Sequence, residues 1–207
     1  MQSYYIPDLT SGQVHRKEDL IRHSRFIVTI AHTATVEEAK YFINQIRQEH
    51  INATHNCWAY CACPPGNTSQ IGASDDGEPK GTAGRPMLTV LEHCGIGELT
   101  AVVTRYFGGT LLGTGGLVHA YQGMVKLGLE SLPTRLKVPS RQFVITVEHR
   151  FFSQINNFLT RFDARILNKQ FSSDVSIVFE VPISQSEALL AIIRESTSGR
   201  VRVIQLP

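Results

Sequence analysis

The chain has 207 residues, 42% hydrophobic and 18% charged, with a formal net charge of +2; this balance excludes a disordered, collagenous or coiled-coil chain. At about 100–200 residues per domain, the length allows one large domain or two modest ones with real cores and no disulfide staples. No run approaches the ~18–20 apolar residues of a membrane span, and MQSYYIPDLTSG lacks the basic start and apolar core of a signal peptide, so a cytoplasmic protein with free cysteines and no membrane contact is expected.

Arg22–Thr33 is rich in β-branched and aromatic residues and predicts a strand. VEEAKYFINQIRQEH behind it predicts a helix: Val36, Ala39, Phe42, Ile43 and Ile46 form one stripe, Thr35 is the N-cap, and Glu37 and Glu38 suit the helix dipole. HNCWAYCAC alternates as a strand does, and the turn-rich PPGNTSQ returns it as a hairpin into QIGAS. DDGEPKG is a loop. TAGRPMLTVLEHC is helical, and Pro86 is tolerated only in a first turn, so this helix starts near Ala83 or Gly84. LTAVVTRYF reads as a buried strand, GGTLLGTGG as a glycine loop, and LVHAYQGMVKLGLESL as a helix.

LPTRLKVPS, with two prolines, marks a linker or a strand crossing between lobes, dividing the chain into domains 1–136 and 137–207. The first carries 11 basic and 12 acidic residues and the second 9 and 6, an asymmetry too weak to announce a nucleic-acid surface by itself. Beyond the break the order is strand (QFVITVEH), helix (FSQINNFLTRF), strand (ARILNKQF), strand (DVSIVFEV), helix (SQSEALLAIIRES) and strand (VRVIQL). This is the ferredoxin-like βαββαβ pattern, its halves joined at Ser172–Ser173, with Ser184 and Thr197-Ser198-Gly199 bracketing the second helix. An exposed strand edge there permits pairing between chains, so a monomer or a weak homodimer is expected.

Three stretches carry candidate chemistry. Gly108, Gly109, Gly113, Gly115 and Gly116 lie between strand and helix, where glycines either permit tight turns and close packing or let backbone N–H groups converge on an anion. Thr114 stands where a Walker loop needs lysine, and the dinucleotide fingerprint lacks its third glycine. In SDDGEPKGTAGRP, Asp75, Asp76 and Glu78 sit near Lys80 and Arg85; the stretch reads as a turn or as a structured functional loop. Arg105 and Tyr106 close the preceding strand, where Arg105 can meet a phosphate and Tyr106 stack on a base, or Arg105 can pair with Asp75 or Glu78. The odd-numbered face His55, Cys57, Ala59, Cys61 and Cys63 reads as core, with His55 near a strand end where it can join a site; a zinc site is the lesser alternative. Trp58 and Tyr60 read as packing residues. No nucleophile elbow, triad, metal motif or cofactor motif is recognised, and no catalytic residue is named.

SDDGEPKGTAGRPML followed by ELTAVVTRYFGGTLLGTGGLVHAY, with HNCWAY upstream, resembles the IMPACT family, specifically its two-domain bacterial members of the YigZ type. Its signature maps onto His55, Asp75, Asp76, Gly77, Glu78, Pro79, Gly81, Thr82, Gly84, Arg105, Tyr106, Gly108, Gly109, Gly113, Gly115 and Gly116. The resemblance implies an α+β protein. Its N-terminal domain is expected to be ribosomal-protein-S5-domain-2-like, and its ferredoxin-like C-terminal domain similar to the last domain of elongation factor G. Both folds recur in ribosome-associated proteins. Eukaryotic relatives regulate translation through a kinase pathway that bacteria lack, so the target itself does not carry over.

The expected function is therefore a non-enzymatic binding protein linked to translation that contacts RNA, the ribosome or a translation factor. Its expected binding patch is His55, Asp75, Asp76, Glu78, Arg85, Arg105, Tyr106 and the Gly108–Gly116 loop. The alternative is an enzyme or binder acting on a phosphate-bearing small molecule through the glycine-rich loop. On this reading Arg105→Ala loses the ligand while keeping the fold, and Gly115→Val blocks close backbone approach and strains the turn.

Overall fold

Three hydrophobic clusters organise the molecule, two on the opposite faces of one sheet and one in a second unit. The structure, a computed structural model, describes residues 3–206, and the chain divides between Lys137 and Val138 into two units. Both are mixed α and β, the expected class.

The first unit runs β1 (Tyr4–Pro7), β2 (His15–Ile21), β3 (Ser24–His32), α1 (Val36–Glu49), β4 (His55–Cys61), β5 (Ile71–Ser74), α2 (Gly84–His93), β6 (Leu99–Tyr106), α3 (Gly113–Glu130) and β7 (Thr134–Lys137). Five strands form one antiparallel sheet in the order β2-β3-β6-β4-β5. Alternation along the strands sends Phe26, Val28, Ile30, Cys57, Ala59, Ala101 and Val103 to a face that α2 and α3 cover. Ala31, Tyr60 and Val102 go to the opposite face, under the Ala39, Phe42, Ile43 and Ile46 stripe of α1. Trp58 and Tyr60 stack on each other, their ring centroids 5.7 Å apart. Thr35 caps α1 by accepting from the Glu38 N–H, and Pro86 sits in the first turn of α2, both as the sequence predicts.

Three strands lie where the sequence shows no strand signal or only a connection. β2 (HRKEDLI) is a polar edge strand without clear alternation. β1 and β7 are four residues each and form a two-stranded sheet, with a single bridge from Tyr5 to Ile96 besides, so β7 occupies part of the segment read as a linker or crossing. Arg22 and His23 belong to the β2–β3 turn and not to a strand; both have positive φ. The glycine loop is also shorter than expected. α3 already begins at Gly113, so Gly113, Gly115 and Gly116 lie within its first turn.

The second unit runs β8 (Ser140–Val147), a short 3₁₀ turn (His149–Phe151), α4 (Phe152–Arg161), β9 (Arg165–Phe171), β10 (Val175–Pro182), α5 (Ile183–Ser196) and β11 (Arg202–Gln205). Its sheet is antiparallel in the order β11-β8-β10-β9, the ferredoxin-like arrangement. Phe143, Ile145, Val147, Val175, Ile177, Phe179 and Val181 pack against Ile155, Leu159, Leu189 and Ile193 of the two helices. Ser184 does not cap α5: the helix starts at Ile183 behind Pro182, with no side-chain cap.

Candidate binding site

Strand register assembles the site. β6 lies between β3 and β4, and Arg105 pairs with Phe26 on one side and His55 on the other. The three side chains therefore form a row on the face covered by α2 and α3. Tyr106, one residue on, points to the other face. There its hydroxyl meets His50 Nδ1 at 2.9 Å and its ring lies 5.9 Å from the Arg25 guanidinium carbon. The sequence-based patch that joined Arg105 to Tyr106 is thus divided by the sheet.

Arg105 is almost wholly buried and makes an ion pair with Glu78, Nη1 to Oε1 at 2.7 Å, with side-chain exposures of 5% and 3%. Its Nη2 donates to Ser24 Oγ at 3.3 Å, and its guanidinium carbon lies 5.4 Å from the ring centroids of both Phe26 and Phe107. The Tyr121 hydroxyl donates to the same Glu78 Oε1 at 2.7 Å. Burial, aided by Cys57 and Glu78 beside it, pushes the Tyr121 phenol far up, so it remains a donor. Burial likewise keeps Cys57 a thiol; its Sγ donates to the Asp75 carbonyl at 2.9 Å. Of the two carboxylates weighed as partners for Arg105, the structure selects Glu78. Arg105→Ala therefore removes a buried ion-pair partner, which corrects the expectation that it keeps the fold intact.

The other two acids of the loop are also engaged internally. Asp75 accepts from the backbone N–H groups of Gly81, Ala83 and Gly84 at 2.8, 3.0 and 2.8 Å, tying the loop to the start of α2. Burial alone raises its carboxyl, but these three donors outweigh it and hold it below the usual range. Asp76 accepts from Arg47 of α1 at 2.6 Å and from the Asn56 N–H at 2.7 Å. Asp76 and Gly77 both take positive φ, and the Glu78 N–H bonds the Asp75 carbonyl, a tight Asp-Gly turn that aims Glu78 inward. Gly84 is required by contact: a Cβ there would stand 2.6 Å from the Ser74 backbone. Gly108 is required likewise, because a Cβ would collide with the His23 carbonyl.

What remains open is a cavity of about 380 Å³ above the Glu78–Arg105 pair, within the range of small ligand sites. His55 lines it. Its Nδ1–H donates to the Asp76 carbonyl at 2.8 Å, leaving Nε2 3.8 Å from Glu78 Oε2. Gly113 and Thr114 of α3 form another wall, and Phe107, Leu111, Leu112 and Leu117 supply the apolar remainder. Leu111 is 82% exposed and Phe107 44%. α3 has no side-chain cap and no acidic residue in its first turn.

Of the sequence-predicted residues, His55, Glu78, Arg105 and Gly113 therefore meet at the cavity, while Asp75 and Asp76 brace its loop. Tyr106 does not join them, and Arg85, Gly109, Gly115 and Gly116 stand outside the lining. Gly115 has no positive φ and open space around it, so the strain expected for Gly115→Val is absent. Tyr121, Ser24, Phe107 and Leu111 were missed. Tyr121 had a signal, since a tyrosine in the apolar stripe of a helix needs a buried partner for its hydroxyl. Larger clefts of about 590 Å³ beside α1 and about 600 Å³ between α2 and α3 hold none of these motif residues.

The profile of the Impact N-terminal domain matches residues 22–129, and that of a domain of unknown function, DUF1949, matches residues 145–200. The chain is 39% identical to the IMPACT family member YigZ of Escherichia coli over 100% of this chain and 99% of that one. It is 39% identical to an IMPACT family member of Haemophilus influenzae, covering 100% and 98%. A solved structure described as that of a hypothetical protein, 39% identical, superposes with a TM-score of 0.71 over 100% of this chain and 98% of its own.

Proposed function

The chain belongs to the IMPACT family, and we propose that it is a non-enzymatic binding protein linked to translation, which engages RNA, the ribosome or a translation factor through the cavity and its apolar rim. One observation carries this reading. Glu78 and Arg105 at the cavity floor are held in a buried ion pair that leaves only Arg105 Nε without a partner there, while the large apolar side chains at its mouth, Leu111 and Phe107, stay in solvent. Apolar side chains held beside a cavity favour insertion of a partner's apolar or planar group. A phosphate backbone would instead want free, clustered cations, and Arg105 is not free.

Sucrose-gradient sedimentation of bacterial lysate tests the reading. The protein is expected to co-migrate with ribosomal particles, and Leu111→Asp to abolish that co-migration while the protein stays folded. A wild-type protein that stays at the top of every gradient, at low salt as at high, would remove the ribosome as its stable partner.

A second reading rests on the uncapped start of α3. There the exposed Gly113 and Gly115 leave backbone N–H groups accessible, as a phosphate-bearing small molecule requires. Saturation at ~100 times the dissociation constant contributes about 2.7 kcal/mol of stability, so a nucleotide panel that leaves the melting temperature unmoved rejects it.

A further inference from the structure

The second unit carries an aromatic and cationic cluster that its core does not absorb. Phe171, the last residue of β9, is 60% exposed and lies outside the cluster of residues that make up the core. Its ring is nonetheless held in place. His149 stacks on it with centroids 6.3 Å apart and planes at 27°, and Phe152 meets it edge-on at 5.2 Å. His149 is itself fixed, its Nε2–H donating to the Ser172 carbonyl at 2.8 Å. Phe152 packs against the core, so Phe171 sits at that core's edge with 60% of its surface left in solvent.

A cation stands over the ring that meets Phe171 edge-on. Lys169, two residues back and on the same side of β9, places its Nζ 5.2 Å from the Phe152 centroid and 3.0 Å from Asn156 Oδ1. Among the described residues it makes no ion pair. Arg150 and Arg200 share a single carboxylate, Glu148, at 3.0 and 3.8 Å. The turn after Phe171 brings one carboxylate, Asp174, bound to Ser172 through its backbone carbonyl, and Lys169 is the cation of this corner that has no carboxylate partner among the described residues.

We propose that Phe171, stacked against His149 and two residues from Lys169 on the same strand, is a stacking site for single-stranded RNA of low sequence preference. A base lies on the Phe171 ring and an adjacent phosphate meets the Lys169 ammonium, while Arg150 stays paired with Glu148 and stacked on Phe151. Every base has a π-face, so such a platform tolerates sequence, while cations beside it track the backbone. An acidic peptide would use the cations but leave the exposed ring without a planar partner. Duplex RNA keeps its bases stacked internally and offers the ring nothing. The site uses a different unit from the cavity and stands or falls separately from it.

The test is fluorescence anisotropy of the full chain with labelled single-stranded oligouridine and oligoadenosine at low salt. Phe171→Ala is expected to weaken binding about tenfold, the usual scale for one lost stacking partner. Phe171→Leu, which keeps the apolar bulk, is expected to bind as weakly as the alanine variant, and Phe171→Tyr to bind as the wild type does. Lys169→Ala is expected to lower the steepness of the salt dependence by about 0.7, the value for one phosphate contact on a single strand. Absence of wild-type binding, equal binding by Phe171→Ala, or equal affinity for duplex RNA would each overturn the proposal, whatever the ribosome gradients give. So would displacement of the RNA by polyglutamate at matched charge concentration.

Discussion

In the first unit, Glu78 and Arg105 face each other across 2.7 Å with side-chain exposures of 3% and 5%, and Asp75 accepts from three backbone donors. In the second unit, Lys169 has no carboxylate partner among the described residues and Phe171 is 60% exposed. The residues that mark the family in sequence are thus the ones whose chemistry is most completely used inside the fold. Lys169 and Phe171 lie outside those family blocks. A signature of acids, arginine and glycines describes how a loop is built, and the surface proposed to meet a partner is the apolar rim that the loop supports.

The sharpest way to break this comparison is to unpair its buried half. Arg105→Ala or Glu78→Ala leaves one charge buried without its partner, a loss of about 3–5 kcal/mol. Replacing both residues together with apolar side chains is expected to cost less than either single change, because no lone charge is then buried. Urea denaturation of the three variants checks this; additive losses would mean that the pair is not a coupled unit. Asp75→Ala comes next, at about 1–2 kcal/mol, since it strips an acceptor from the first N–H groups of α2. The same denaturation series measures it.

The contrast between the halves also sets what could be read from sequence. The βαββαβ order of the second unit was legible, because its central strands alternate cleanly and its helices carry continuous apolar stripes. β2 was not, because an edge strand with polar residues on both faces shows neither period. The β1–β7 pairing was not, because it joins residues about 130 positions apart through a register that no local pattern encodes. At the site, the separation of Arg105 from Tyr106 was legible in principle, since neighbours on a strand point to opposite faces. The choice of Glu78 over Asp75 was not, because it follows from the tight turn at Asp76 and Gly77 and from backbone donors that occupy Asp75.

A third paired cluster sharpens the comparison through pH. Glu98, itself at positive φ, receives Tyr4 and Lys137 at 2.6 Å each on Oε1 and His32 at 3.0 Å on Oε2. Burial raises its carboxyl, but the donors from His32, Lys137 and Tyr4 outweigh burial and bring it down from 4.5 to about 2. A carboxylate depressed in the folded state stabilises above its unfolded value and loses that contribution as pH falls through its folded value. Stability is therefore expected to decline from near pH 4.5 and to have lost this contribution below about pH 2. Glu98→Gln, followed by thermal melts across the same window, should flatten the decline; an unchanged profile would place the acid sensitivity elsewhere.

The smallest expected effect on stability is the one that separates the two kinds of residue most cleanly. Leu111→Asp and Phe171→Ala alter exposed side chains that contribute little to either core, so each should change unfolding free energy by no more than about 0.5 kcal/mol. Each should nevertheless abolish or weaken one contact with a partner, Leu111→Asp at the cavity and Phe171→Ala on single-stranded RNA. Chemical denaturation run beside the gradient and anisotropy assays checks both halves of that statement. A folded protein with unimpaired binding in both variants would mean that exposure in this fold does not mark function. The search would then return to the charged loop, where Arg105 and Glu78 would have to separate on binding for their chemistry to reach a partner.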